Sequence, residues 1–348
     1  MSSYQAYAKD PASLSFVCEP LKGQVLLCID TNKYEENLFL DKGDAKNYNQ
    51  TSGHIRPATL TWMLNEADKA RALGKQVVLV QHHNIVQHYD AQGTLQSDYI
   101  IRDYVNVSKQ MMKHGIHMAF TGHTHLQDIA QYRALADNAQ VDSLVDVATG
   151  SVISYPNPWR TIKVNNDFTE WQINTEYVTS IPSLSDVKST CYKRLYDNIK
   201  GGLGWHIKDA WNSIDKYRET TYNLGYTREF IPKAPEELTE MLTKYLGDQF
   251  SKVYMIHNEG NEWKNPEVAG LENLLKSNME NMLRDRAATV GLGFIKTGLL
   301  IAAFTGSYSA RFEPGLKSML TDVNQLNDPD KRLESRTDDL NAVLRLGR

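Results

Sequence analysis

Residues 76–89 read QVVLVQHHNIVQHY and residues 117–128 read HMAFTGHTHLQD. In each, an apolar run ends in a histidine cluster. VVLVQ and MAFT lack the polar–apolar alternation of a half-exposed strand, so both read as strands buried on two faces, the pattern of a parallel sheet interior. Between them the spacing predicts a helix over about Tyr99 to His114, stopped at Gly115. Upstream, Leu60, Met63, Leu64, Ala67 and Ala70 recur at helical spacing, with Thr59 as N-cap and Gly74 as stop, and QVLLCID at 24–30 is a further strand. Strands alternating with helices predict an α/β layer.

Beyond residue 128 the period changes. LVDVATGS, WRTIKVNN and TEWQINTEYV alternate with period two and are separated by Pro156, Pro158 and the NND turn at 165–167, which predicts antiparallel strands. After Ser183 strand signals nearly vanish, and Pro235, Pro266 and Pro329 each open a predicted helix. Two domains follow: α/β over 1–180 and helical over 181–348.

The 348 residues carry 38 Lys+Arg and 42 Asp+Glu, a net charge of −4, so no basic field for nucleic acid or a membrane surface is present. At 41% hydrophobic the chain can bury a sizeable core. Three cysteines are too few and too scattered for a disulfide framework or a cysteine zinc cluster. The first residues, MSSYQAYAKDPAS, show neither a basic nor an apolar signal region, and Gly298 to Gly306, the longest apolar stretch, is short of the ~20 residues of a spanning helix. The chain as written is expected to be soluble, with export open for a longer form.

Eight of the ten histidines fall between His54 and His125. The two clusters follow strands, where α/β folds place ligands. In Gly122-His123-Thr124-His125 the glycine permits a sharp turn, and two imidazoles one residue apart can share a cavity when the backbone is not a regular strand. Imidazole is a ligand for zinc, iron, nickel, copper and manganese; the plainer alternative is a polar turn with surface histidines.

The strand-HHN (His82, His83, Asn84) followed some forty residues later by strand-GHTH, with LQD, DVATGS and SYPNPWR after it and SLSFVCEP, VLLCIDTN and SGHIRPATLTWM before it, resembles the calcineurin-like metallophosphoesterases over roughly residues 8–175. The resemblance implies an α/β/β/α sandwich lacking its first strands. It also implies hydrolysis of phosphomonoesters or phosphodiesters by a hydroxide held between two divalent ions, zinc, manganese or iron. Carried over, His82 and His123 bind one metal and His125 the other, with His83 the alternative if the strand register slips by one. His83 or His88 is the proton donor to the leaving oxygen.

The family's Asp-x-His, Gly-Asp-x-x-Asp and Gly-Asn-His motifs are absent, and three imidazoles bring no carboxylate to bridge two cations. Weak or no phosphatase activity is therefore expected of the chain alone. It reads as a phosphoesterase part completed by another segment, or as a non-catalytic interaction protein whose helical tail engages a partner. Loss of the first strands predicts an open sheet edge, hence a complementing N-terminal segment or a homo-oligomer. The substrate class is a phosphorylated small molecule or a phosphodiester.

Overall fold

The computed structural model describes residues 7–33, 51–90, 92–135, 141–202, 230, 232, 234–311, 313–321 and 338–346. The chain divides into two units, residues 1–181 with 258–261 and 322–348, and residues 182–257 with 262–321.

The first unit is built on a seven-stranded sheet. Its strands are β1 (Ala8–Lys9), β2 (Phe16–Leu21), β3 (Gln24–Ile29), β4 (Gln76–Gln81), β5 (Met118–Thr121), β6 (Asp128–Leu135) and β7 (Val141–Ala148), in the order β1-β2-β3-β4-β5-β7-β6. Strands β3, β4, β5 and β7 run parallel, and β2 and β6 join antiparallel. The expectation of antiparallel strands after residue 128 holds for the β6–β7 pair and for the strands that follow it, and fails only at the other edge of β7, which runs parallel to β5. Val147 lies beside Phe120 in parallel register.

Alternate side chains of the sheet serve two cores. Val25, Leu27, Val77, Leu79 and Leu144 pack with Met63, Leu64 and Ala67 of helix α1 (Pro57–Ala72) and Met111 of α3 (Tyr104–Lys113); the short α2 (Gln92–Leu95) precedes α3. The opposite face, with Val78 and Met118, packs on Trp171 and Leu346. Trp171 lies in, and Leu346 just past the end of, a three-stranded antiparallel sheet of β8 (Pro158–Val164), β9 (Glu170–Tyr177) and β10 (Asn341–Arg345), ordered β10-β9-β8. The layers are helix, sheet, sheet. Within the first unit no described helix covers the outer face of the small sheet, where Trp159 and Val343 are 39% and 52% exposed. The α/β class stands, while the specific phosphoesterase sandwich does not follow from these layers.

Helix α1 starts earlier than the apolar spacing suggested: Pro57 takes the first turn after Arg56, with no side-chain cap. Thr59 is buried instead, its hydroxyl donating to Asp10 Oδ2 at 2.6 Å. Gly74, at φ 70°, ends the helix as expected.

The second unit is helical: α4 over 187–202, α5 (Pro235–Glu259, its last two residues in the first unit), α6 (Val268–Thr289), α7 (Phe294–Arg311) and α8 (Glu313–Thr321). Leu271, Leu275, Met279 and Met282 are buried as their spacing predicts, whereas Leu274 is 43% exposed. The helix expected after Pro329 lies outside the described residues. A tail without strands is corrected by β10, whose Val343 pairs with Gln172. A five-residue edge strand that finds its partner across more than 160 residues leaves little local signal. No helix among the described residues is long and apolar enough to cross a membrane.

Candidate functional site

Parallel pairing brings the ends of β4 and β5 side by side, with Leu79 opposite Ala119 and Val80 opposite Phe120. Just past both strand ends, Gly122 N–H donates to His82 O at 3.0 Å, so the two histidine loops are tied together by backbone. The GHTH turn differs from its expected mechanism. Its left-handed positions are His123 (φ 67°) and His125 (φ 59°), not the glycine. Histidine is among the residues that tolerate this region, and its use at two alternate positions of one loop is the kind of backbone strain that collects at functional sites.

His82 Nε2 lies 2.9 Å from His123 Nδ1, with ring centroids 4.5 Å apart. His83 packs edge-on against His123 at 4.6 Å, and Tyr99 covers His123 at 4.5 Å. His83 is buried and is held by Thr31 Oγ1 on Nδ1 and by Thr51 O on Nε2, both at 2.6 Å. His123 Nε2 reaches the same carbonyl at 3.1 Å. His82 and His125 are exposed. Desolvation, reinforced by His83 and His82, lowers the His123 pKa to about 4; desolvation also lowers those of His82, His83 and His125, with His82 adding to the effect at His125. All four imidazoles are neutral near pH 7 and carry lone pairs.

The structure thus brings His82, His83 and His123 into ring contact, with His125 on the same loop. His88 is placed elsewhere. It is 1% exposed, its Nδ1 2.8 Å from Asp128 Oδ2 and its Nε2 3.3 Å from Asp146 Oδ2. Burial alone would push its pKa down, but the two carboxylates override this and raise it to about 10. Asp146 also accepts from Ile85 N–H at 2.8 Å and from Thr121 Oγ1 at 2.5 Å, and Asn84 Nδ2 donates to Thr121 Oγ1 at 2.8 Å. This buried network sets the HHN loop on the sheet. Sequence reading missed it, although a carboxylate inside the apolar run LVDVA was its signal.

Arg160 is not open to a substrate phosphate. Its guanidinium donates to Asp339 O at 2.6 Å and Ala148 O at 2.9 Å, and burial brings its pKa down to about 10. His257 is buried against Glu262, and His206 lies outside the described residues.

Gly53 closes the wall behind His83. A β-carbon there would stand 2.4 Å from His83 Cγ. Gly53→Ala is expected to displace the imidazole and to cost about 1–3 kcal/mol by overpacking. Urea unfolding reads the loss, and shifted His83 and His123 ring resonances in NMR report the displacement.

Among the described residues no group of three or more His, Cys, Asp or Glu side chains is arranged to hold a metal ion. The sequence placed His82 and His123 on one ion and His125 on a second; the structure brings His82 and His123 within hydrogen-bond distance, with His125 on the same loop as His123.

No protein-family model matches the chain. Over 114 residues, 31% of its length, it is 32% identical to 1-deoxy-D-xylulose-5-phosphate synthase of Clostridium beijerinckii. The chain spans only 18% of that relative. These findings overturn the resemblance to calcineurin-like metallophosphoesterases and the phosphatase, phosphodiesterase and hydrolase labels drawn from it. What the comparisons leave is a partial similarity to a synthase, an enzyme named for a sugar phosphate.

Proposed function

We propose that this chain is part of an enzyme acting on a phosphorylated small molecule, with His82 and His123 holding a divalent transition-metal ion together with the substrate's phosphate. The observation that carries the reading is the 2.9 Å separation of His82 Nε2 and His123 Nδ1 at the carboxyl ends of adjacent parallel strands. Two neutral nitrogens this close would hold one ion between them, with the His82 proton carried on Nδ1 of that ring. Imidazole donors favour zinc, iron or manganese over magnesium or calcium. A pair of protein ligands leaves the remaining positions to phosphate oxygens and water, so the ion binds tightly only when phosphate is present. When bound, it acts as a Lewis acid toward the phosphate group.

The chain's own residues supply orientation. Tyr99 and His83 flank the His123 ring, and the bond from Gly122 to His82 fixes the spacing of the two loops. The named relative, a synthase of a sugar phosphate, supports a phosphorylated substrate and an enzymatic role.

Calorimetric titration of zinc or manganese in the presence of inorganic phosphate is expected to give one ion per chain. His82→Ala and His123→Ala should each weaken binding at least about tenfold, with a smaller loss for His125→Ala. No carboxylate among the described residues pairs with these three imidazoles to bridge a second cation. The chain alone is thus expected to turn over a generic phosphoester weakly or not at all; rapid turnover with two ions per chain would contradict the single-ion reading.

A further inference from the structure

The hydrogen bonds around His123 admit one assignment of protons. Thr51 O is a carbonyl and can only accept, so both nitrogens that reach it, His83 Nε2 at 2.6 Å and His123 Nε2 at 3.1 Å, carry hydrogen. In neutral rings the other nitrogens then hold lone pairs. Thr31 Oγ1, 2.6 Å from His83 Nδ1, must donate to it, and His82 Nε2–H must donate to His123 Nδ1. The chain of bonds therefore runs from the hydroxyl of Thr31, just past β3, through His83 and the Thr51 carbonyl to His123, crossing the ends of three neighbouring strands.

We infer that Thr31 is a positioning residue: by donating to His83 Nδ1 it fixes the ring that packs against His123, and so keeps His123 seated with Nε2–H on the Thr51 carbonyl and Nδ1 aimed at His82. Thr31 is 2% exposed and His83 3% exposed, so no water can stand in for the hydroxyl without rearrangement. If Thr31 loses its hydroxyl, His83 Nδ1 is left as a buried acceptor without a donor. The ring is then released to turn, and the edge-on contact it makes with His123, 4.6 Å between centroids, is lost, so His123 can move off the Thr51 carbonyl and exchange tautomers. The value of this arrangement for metal uptake rests on the function proposed above, since the lone pair presented to the ion is on Nδ1. Groups that orient a ligating imidazole are typically worth 10- to 100-fold in metal affinity.

The test is long-range ¹H–¹⁵N NMR of histidine rings in the metal-free protein, for wild type, Thr31→Val and Thr31→Ser. Wild type and Thr31→Ser are expected to show His123 Nε2 protonated and Nδ1 bare. Thr31→Val is expected to show averaged nitrogen shifts and, where zinc binds with phosphate, about tenfold weaker affinity. A wild-type His123 protonated on Nδ1, or a Thr31→Val spectrum indistinguishable from wild type, overturns the inference. Spectra as expected in a wild type that takes up no zinc sink the metal reading and leave the positioning role standing.

Discussion

Asp146→Ala is expected to cost the first unit about 3–5 kcal/mol, enough to unfold many domains of this size. Asp146 is wholly buried, and its carboxylate faces the His88 imidazolium, the Ile85 N–H and the Thr121 hydroxyl. Removing it strands a buried cation beside one remaining partner, Asp128, which Arg160 also attracts electrostatically. The same cluster predicts an alkaline stability loss. The His88 pKa is raised from 6.5 to about 10 in the folded protein, so its contribution is fully present below about pH 6.5 and is lost as pH climbs toward 10. Between those values the folded state holds a proton that the unfolded state has released. Stability should fall by about 1.4 kcal/mol per pH unit from this group. Urea unfolding between pH 7 and 10 should show that slope in the wild type and a shallower one in Asp146→Asn, which keeps the side-chain volume but removes one of the two counter-charges. Equal slopes in both proteins would contradict the assignment of an imidazolium to His88.

The second large effect belongs to the seam between the two sheets. Trp171 is 1% exposed, packs with Val78, Met118 and Leu346, and lies with its ring 6.2 Å from that of Phe120. Its indole N–H is satisfied by Phe168 O at 2.9 Å, so the residue brings its apolar area to the core with no unmet polar group. Trp171→Ala is expected to cost about 3–5 kcal/mol, because the rigid strands on either side cannot close over the void. The loss should appear as a lower urea midpoint with little change in slope. Trp159→Ala, on the exposed face of the same sheet, should cost far less, a contrast that separates seam packing from a general intolerance of β8 and β9.

Much of the fold was legible because interior parallel strands announce themselves. QVLLCI, QVVLVQ and MAFT are apolar in all but their end residues, and Gly74 and Gly115 mark where the intervening helices stop. Alternation in TEWQINTEYV put Trp171 and Ile173 on one side, and both are buried. Long-range pairing was not legible. Neither β10 nor the parallel placement of β7 against β5 leaves a local periodicity, since each is decided by which strand edge is free in the folded sheet.

The histidine clusters were readable as a place, and the ends of β4 and β5 do lie together there. Their chemistry was harder to read. His82, His83, His88, His123 and His125 look alike in the sequence, while Asp128 and Asp146 make one of them a buried cation and desolvation keeps the others neutral. The family resemblance rested on the same histidine text and the short stretches flanking it, and pieces of that length are too little sequence to specify a family on their own.

Calorimetric titration of zinc into the wild-type chain with inorganic phosphate, repeated with the double variant His82→Ala, His123→Ala, tests the central claim most directly. One ion per wild-type chain, lost in the variant while its circular dichroism and urea midpoint stay near wild type, is the expected outcome. Equal zinc uptake by the two proteins, or none by either, would contradict a metal and phosphate site at the ends of β4 and β5.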